Sequence, residues 1–104
     1  MDNLLEYKGL LNDELFDKLL EGKRFIVNRI VSPSMPEGDV KWYDQEEDEW
    51  LVLLQGEASI EYSDGKKKML KPFDILNIPA HCRHRVAYTS SEPLAVWLTI
   101  HYEK

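Results

Sequence analysis

The side chains best suited to chemistry lie in two short stretches. His81, Cys82, Arg83, His84 and Arg85 follow one another closely, and Asp44-Gln45-Glu46-Glu47-Asp48-Glu49 forms an acidic run. Imidazoles and carboxylates together can move protons or hold a cation. Cys82 has no acid–base partner fixed by the sequence and no motif of a nucleophilic thiol. Arg83 and Arg85 suit a carboxylate or phosphate, or simply pairing with the acidic surface, since Asp and Glu number 19 against 13 Lys and Arg. His101 lies near the end of the chain on the same strand face as Trp97 and Thr99, and reads as packing or an edge contact.

Strand parity decides which of these groups can meet. If the residues after Glu49 form a strand, Glu49, Leu51, Leu53 and Gln55 share one face. His84, Val86 and Tyr88 share a face of theirs, opposite Arg83 and Arg85. Glu49 and His84 can then both point inward, with Asp44 joining from the adjoining strand end. Aromatic side chains offer contact area for a ligand. Trp42, Tyr43, Trp50 and Tyr88 are the candidates, with Trp97 also in range and Gln45 and His81 as polar neighbours.

The elements that would position them are mostly strands. Arg24 to Val31, Val40 to Tyr43, Trp50 to Leu54, Ala58 to Ser63, Met69-Leu70, Asp74 to Ile78, Arg83 to Tyr88 and Leu94 to Tyr102 are short apolar or alternating runs divided by turn residues. Asp64-Gly65 marks a tight hairpin of the primed turn type. Many short strands with regular turns predict a sandwich or barrel. One helix is expected before them: Asn12 as cap, Asp13 and Glu14 at the positive end of the dipole, Leu15, Phe16, Leu19 and Leu20 as the apolar face, and Gly22 as the stop. The expected organisation is one domain over 1–104, with a helical extension at 1–22 and a β-barrel at 23–104.

Composition limits the function classes. The net charge of −6 repels phosphate backbones and anionic membranes, so neither nucleic acid nor membrane is expected as a partner. The single cysteine forms no intrachain disulfide. With no secretory signal and no apolar run of transmembrane length, a cytoplasmic chain is expected. The segment Leu94 to Ile100 is apolar on both faces, as at a subunit interface, and a homodimer is expected.

The stretch from Asp44 to Tyr88 resembles the cupin superfamily of small jelly-roll barrels. Glu49 and Gly56 have the spacing of the first cupin motif, and Pro79 and His84 match the second; Phe73 and His81 stand where glycines are usual. Aligned on Glu49, the two usual motif-1 histidines are replaced by Trp42 and Asp44 in one register or by Tyr43 and Gln45 in the other. The resemblance implies an all-β jelly-roll barrel with an inward-facing site. It also implies a divalent metal (Mn, Fe, Ni or Zn), with Asp44, Glu49 and His84 as ligands and His81 as a possible addition. Two functions remain open. One is metal-free binding of a small molecule in a pocket drawn from Trp42, Tyr43, Gln45, Trp50, His81 and Tyr88. The other is a metal-dependent enzyme of isomerase or oxygenase type that uses Glu49 and His84.

Overall fold

The structure is a computed structural model that describes residues 2–8, 14–34 and 41–104. Among these described residues are eight strands: β1 (Leu15–Glu21), β2 (Phe25–Ser32), β3 (Asp48–Gln55), β4 (Ala58–Tyr62), β5 (Lys67–Leu70), β6 (Ile75–Ile78), β7 (His84–Thr89) and β8 (Ala95–Tyr102). They form a five-stranded sheet in the order β1-β2-β8-β3-β6 and a three-stranded sheet in the order β5-β4-β7. The pairings between these strands are antiparallel.

The core lies between the sheets. Leu51 and Leu53 on β3, Ala58 and Ile60 on β4, Leu70, Ile78, Ala95 and Trp97 are buried there as one cluster. Alternation along β3 gives the reason: Glu49, Leu51 and Leu53 are buried on one face, while Trp50 and Val52 between them are half-buried on the other. The hairpin at Asp64-Gly65 forms, but its turn is not of the primed type expected: the Gly65–Tyr62 hydrogen bond makes Ser63 and Asp64 the central residues, and neither has a positive φ. Gly65 has φ 92° and donates its N–H to the Tyr62 carbonyl at 2.9 Å.

The expected N-terminal helix is corrected. Leu15–Glu21 is strand β1, and the described residues contain no helix; Asn12 and Asp13 lie outside them. The apolar spacing that suggested one helix face is accommodated by a strand with a bulge, because the β1–β2 register shifts between Lys18 and Leu20. Pairing with β2 satisfies the inner side of β1 on both sides of the bulge, and such a tertiary ladder overrides the weak helix preference of Leu, Lys and Glu. The proposed strand at Val40 to Tyr43 falls partly outside the described residues. Its described end is a single antiparallel bridge between Tyr43 and His84.

β8 sits in the middle of the larger sheet, between β2 and β3. Trp97 and Thr99 face the interior, and Val96, on the opposite face, is fully buried. Its two-sided apolar pattern is therefore used, at least at these positions, within the chain itself. Arg29 on β2 is 3% exposed and holds the N-terminal segment against the sheet. Its guanidinium donates to Asp17 (2.5 Å from Nη2, 3.1 Å from Nε) and to the carbonyls of Leu4 (3.2 Å) and Glu6. No helix among the described residues is long and apolar enough to cross a membrane.

Candidate functional site

Glu49 occupies the first residues of β3 on its inward face and is 7% exposed. Its cross-strand partner on β8 is His101, and its partner on the other side, on β6, is Ile78. Direct pairing places the His101 Nε2 3.4 Å from Glu49 Oε2. From the opposite sheet, His84 at the start of β7 brings its Nε2 to 3.6 Å from Oε1. One buried carboxylate is thus flanked by two imidazoles, one on each oxygen, and the cluster joins both sheets.

Each imidazole is held from behind. His84 Nδ1 lies 2.8 Å from the Cys82 carbonyl, which can only accept, so Nδ1 carries a proton. A favourable contact between Nε2 and the carboxylate then requires a second proton on the ring. Tyr43 supports the ring by stacking, with centroids 5.9 Å apart, and its backbone N–H donates to the His84 carbonyl at 2.7 Å. The charges follow this geometry. Burial opposes ionisation of Glu49, yet the attraction of His101 and His84 outweighs it and holds the carboxyl down at about 2. Burial likewise opposes protonation of His84, but Glu49 and the Cys82 carbonyl raise its pKa overall. Glu49 raises that of His101 against its own burial, with Glu47 adding to the effect and the charge of His84 opposing it.

The cluster lies on a cavity of about 100 Å³ whose other walls are largely apolar: Leu51, Ile60, Ile78, Val86 and Trp97, with Phe16 of β1 and Ile30 of β2. Tyr43 and Gln45 also line it. This settles the register of the first motif: Tyr43 and Gln45, not Trp42 and Asp44, take the inward positions. Glu14, expected at a helix N-terminus, instead lines the cavity and accepts a hydrogen bond from Ser32 Oγ at 2.9 Å.

The structure therefore brings together Tyr43, Gln45, Glu49 and His84 of the sequence-derived set, and it separates the rest. Asp44 is a surface residue paired with His81 Nδ1 at 3.2 Å, with side chains 58% and 69% exposed, and neither lines the cavity. Adjacent residues on an extended chain point opposite ways, so Gln45 facing in turns Asp44 out. Trp42 is turned away for the same reason. It lies under Arg85 and Arg83, at 4.6 and 5.3 Å from its ring centre, and Arg85 pairs with Glu61 at 2.6 Å. Trp50 is on the outward face of β3, opposite Asn77 and Ile100. Tyr88 is displaced by a bulge: the β4–β7 register passes from Ser59↔Tyr88 to Ile60↔Val86, leaving Ala87 unpaired and reversing the alternation.

His101 is the functional candidate that sequence reasoning placed elsewhere. Its parity with Trp97 and Thr99 was readable, but its meeting with Glu49 depends on β8 pairing with β3, which no local pattern encodes. Thr99 lines the same cavity. Phe73 and His81, the departures from motif glycines, keep a glycine-like backbone with φ 72° and 61°. Such conformations cost roughly 1–2 kcal/mol each for a residue with a Cβ. Gly56 retains its glycine at φ 84°, where a Cβ would stand 2.9 Å from both the Ala95 Cα and the Leu94 carbonyl oxygen.

A carboxylate and two imidazoles suit a divalent metal by type. Their arrangement does not: each imidazole addresses a different oxygen of Glu49, and among the described residues no group of three or more His, Cys, Asp or Glu is gathered to hold an ion. Tyr43 and Gln45 occupy the positions from which two further imidazoles would complete such a site.

An antiparallel eight-stranded fold with Glu49, Gly56, Pro79 and His84 at motif spacing defines a cupin barrel, and the comparisons agree. The model of the cupin domain matches residues 34–101. The chain belongs to the cupin-domain family. It is similar to a candidate mannose-6-phosphate isomerase from Ralstonia eutropha JMP134, with 37% identity over 100% of this chain and 98% of that one, at a TM-score of 0.90. A cupin superfamily protein from Desulfitobacterium hafniense DCB-2 is 26% identical over 94% of this chain and 84% of its own, at a TM-score of 0.73. Hydroxypropylphosphonic acid epoxidase from S. wedmorenis shares the fold at 15% identity, with 88% of this chain and 52% of that one covered and a TM-score of 0.78. HppE has been crystallised with Fe(II) and with Co(II). No curated protein sequence matches the chain.

Proposed function

We propose that this cupin binds a small molecule inside its barrel, with Glu49, His84 and His101 as the polar anchor and the apolar walls enclosing the rest of the ligand. The observation that carries this reading is a buried carboxylate flanked by two imidazoles at the wall of an otherwise largely apolar cavity. Buried ionisable groups are costly unless paired, and their presence in a cavity wall is the usual mark of a binding or catalytic site. The reading requires no metal.

One observation favours the second reading, a metal-dependent enzyme of isomerase or oxygenase type. His84 is fixed through Nδ1 on a backbone carbonyl, which is the orientation in which Nε2 serves as a metal ligand. Metal ligation would require the imidazoles to turn from opposite carboxylate oxygens toward a common point. Metal analysis of the purified, untagged protein, followed by thermal-shift screening of small molecules after chelation, separates the two. The proposal expects substoichiometric metal and ligand stabilisation that survives chelation. Stoichiometric metal that disappears in His84→Ala, with stabilisation dependent on it, overturns it in favour of the enzyme.

A further inference from the structure

The outward residues of the five-stranded sheet line up in rows. Leu20 on β1 stands opposite Val27, Val27 opposite Ile100, Ile100 opposite Trp50, and Trp50 opposite Asn77 on β6. Directly opposed residues share a face, so this row runs unbroken across all five strands. The next row joins Arg29, Leu98, Val52 and Ile75, and on the other side Phe25 stands opposite Tyr102. None of these side chains lines the barrel cavity. Leu20 and Ile75 are 58% and 59% exposed, and Val27, Trp50, Val52, Leu98 and Ile100 are half-buried. The charges in these rows are paired off: Arg29 with Asp17 beside it on β1, and Asp48, opposite Tyr102, with Lys104 at 3.7 Å. A broad apolar face without net charge, on a chain that carries −6, marks an interaction surface.

We infer that this outer sheet face packs against the same face of a second copy of the chain in an isologous, two-fold dimer. Shape, charge and area select that occupant. Apolar sheet faces stack about 10 Å apart with their strands within about 30° of each other, and a second copy supplies a face of matching curvature. Two copies that each carry −6 repel, so they meet where the surface carries no net charge. Strands about 4.8 Å apart and rows about 6.7 Å apart give the three rows an outline of roughly 500 Å². Side-chain relief and the rim, which includes Leu5 of the segment held by Arg29, raise this to about 600 Å² per partner, the low end for a stable dimer. Trp50 and Ile100 lie near its centre, where binding energy concentrates. The inference is independent of what the barrel binds.

Sedimentation equilibrium of the full chain tests it, with circular dichroism confirming that each variant is folded. The wild type is expected to be a dimer that dissociates in about the micromolar range. Added salt is expected to tighten it or leave it unchanged, because salt screens the like charges and spares an apolar contact. Trp50→Lys is expected to weaken the dimer by at least about thirtyfold, and Ile75→Lys, nearer the rim, by about fivefold. Met69→Lys, an exposed site on β5 of the other sheet, is expected to leave it unchanged. Should Trp50→Lys fail to fold, Ile75→Lys carries the test, since its side chain is already in solvent on an edge strand. A wild-type monomer at about 100 µM, a dimer that Ile75→Lys leaves as tight as wild type, or a dimer that Met69→Lys dissolves overturns the inference. So does a dimer that salt dissociates, which would join copies through charge pairs instead.

Discussion

Replacing Glu49 by Gln tests the centre of the site without changing its shape. The carboxyl is held at about 2 instead of 4.5 by the two imidazoles. Each pKa unit is worth roughly 1.4 kcal/mol, so the difference corresponds to about 3 kcal/mol of folding stability. The group is nearly fully buried, so little is lost to solvent screening. The shifts of the histidines express the same attraction and are not added to it. The sign gives the pH window. A depressed carboxylate contributes fully above pH 4.5 and loses its contribution as pH falls toward 2. The raised histidines contribute fully below 6.5 and lose their contribution as pH rises through their folded values. The gap between wild type and Glu49→Gln is therefore widest between about pH 4.5 and 6.5 and narrows toward pH 2, where the wild-type carboxyl is itself half protonated. Urea unfolding of metal-free protein at pH 6 and at pH 2.5 measures it. A cost below 1 kcal/mol at pH 6, or the same cost at both pH values, refutes the description of Glu49 as a carboxylate held by two imidazolium rings.

Gly56→Ala forces a Cβ against the backbone of Ala95 and Leu94 and against Ser90 Oγ at 2.7 Å, in a left-handed conformation. The expected cost is about 3 kcal/mol, a fall of about 10–20 °C in Tm by calorimetry. Arg29→Met removes the donor that holds Asp17 and the carbonyls of Leu4 and Glu6. About 3 kcal/mol of stability should be lost, and limited proteolysis should begin within residues 2–8. Asp44→Ala and His81→Ala, which break an exposed pair, are expected to change stability by less than about 1 kcal/mol and to leave interior ligand binding intact; abolished binding in either would bring the loop into the site. The chain is expected to sediment as a homodimer. Phe16, Leu20 and Phe25, exposed around the β1 edge of the larger sheet, are apolar surface available to a second copy; a monomer across the micromolar range contradicts this.

Most of the strands, and the inward placement of Glu49 and His84, are legible in the order of the residues alone. Period-two alternation, turn residues at Asp64-Gly65 and motif spacing are local properties, and local properties survive folding. That order could not decide β1, because Leu15, Phe16, Leu19 and Leu20 satisfy both a helix face and a bulged strand, and only pairing with β2 distinguishes them. Nor could it fix the register of the first motif, since a shift by one residue exchanges Tyr43 and Gln45 for Trp42 and Asp44 on the inward side. Tyr88 was misplaced by a single unpaired residue, Ala87, that parity counting cannot see. His101 and Thr99 entered the site only through the tertiary structure. They lie about fifty residues from Glu49 and Leu51, and what brings them face to face is the antiparallel ladder between β3 and β8, a long-range pairing that neither strand encodes alone.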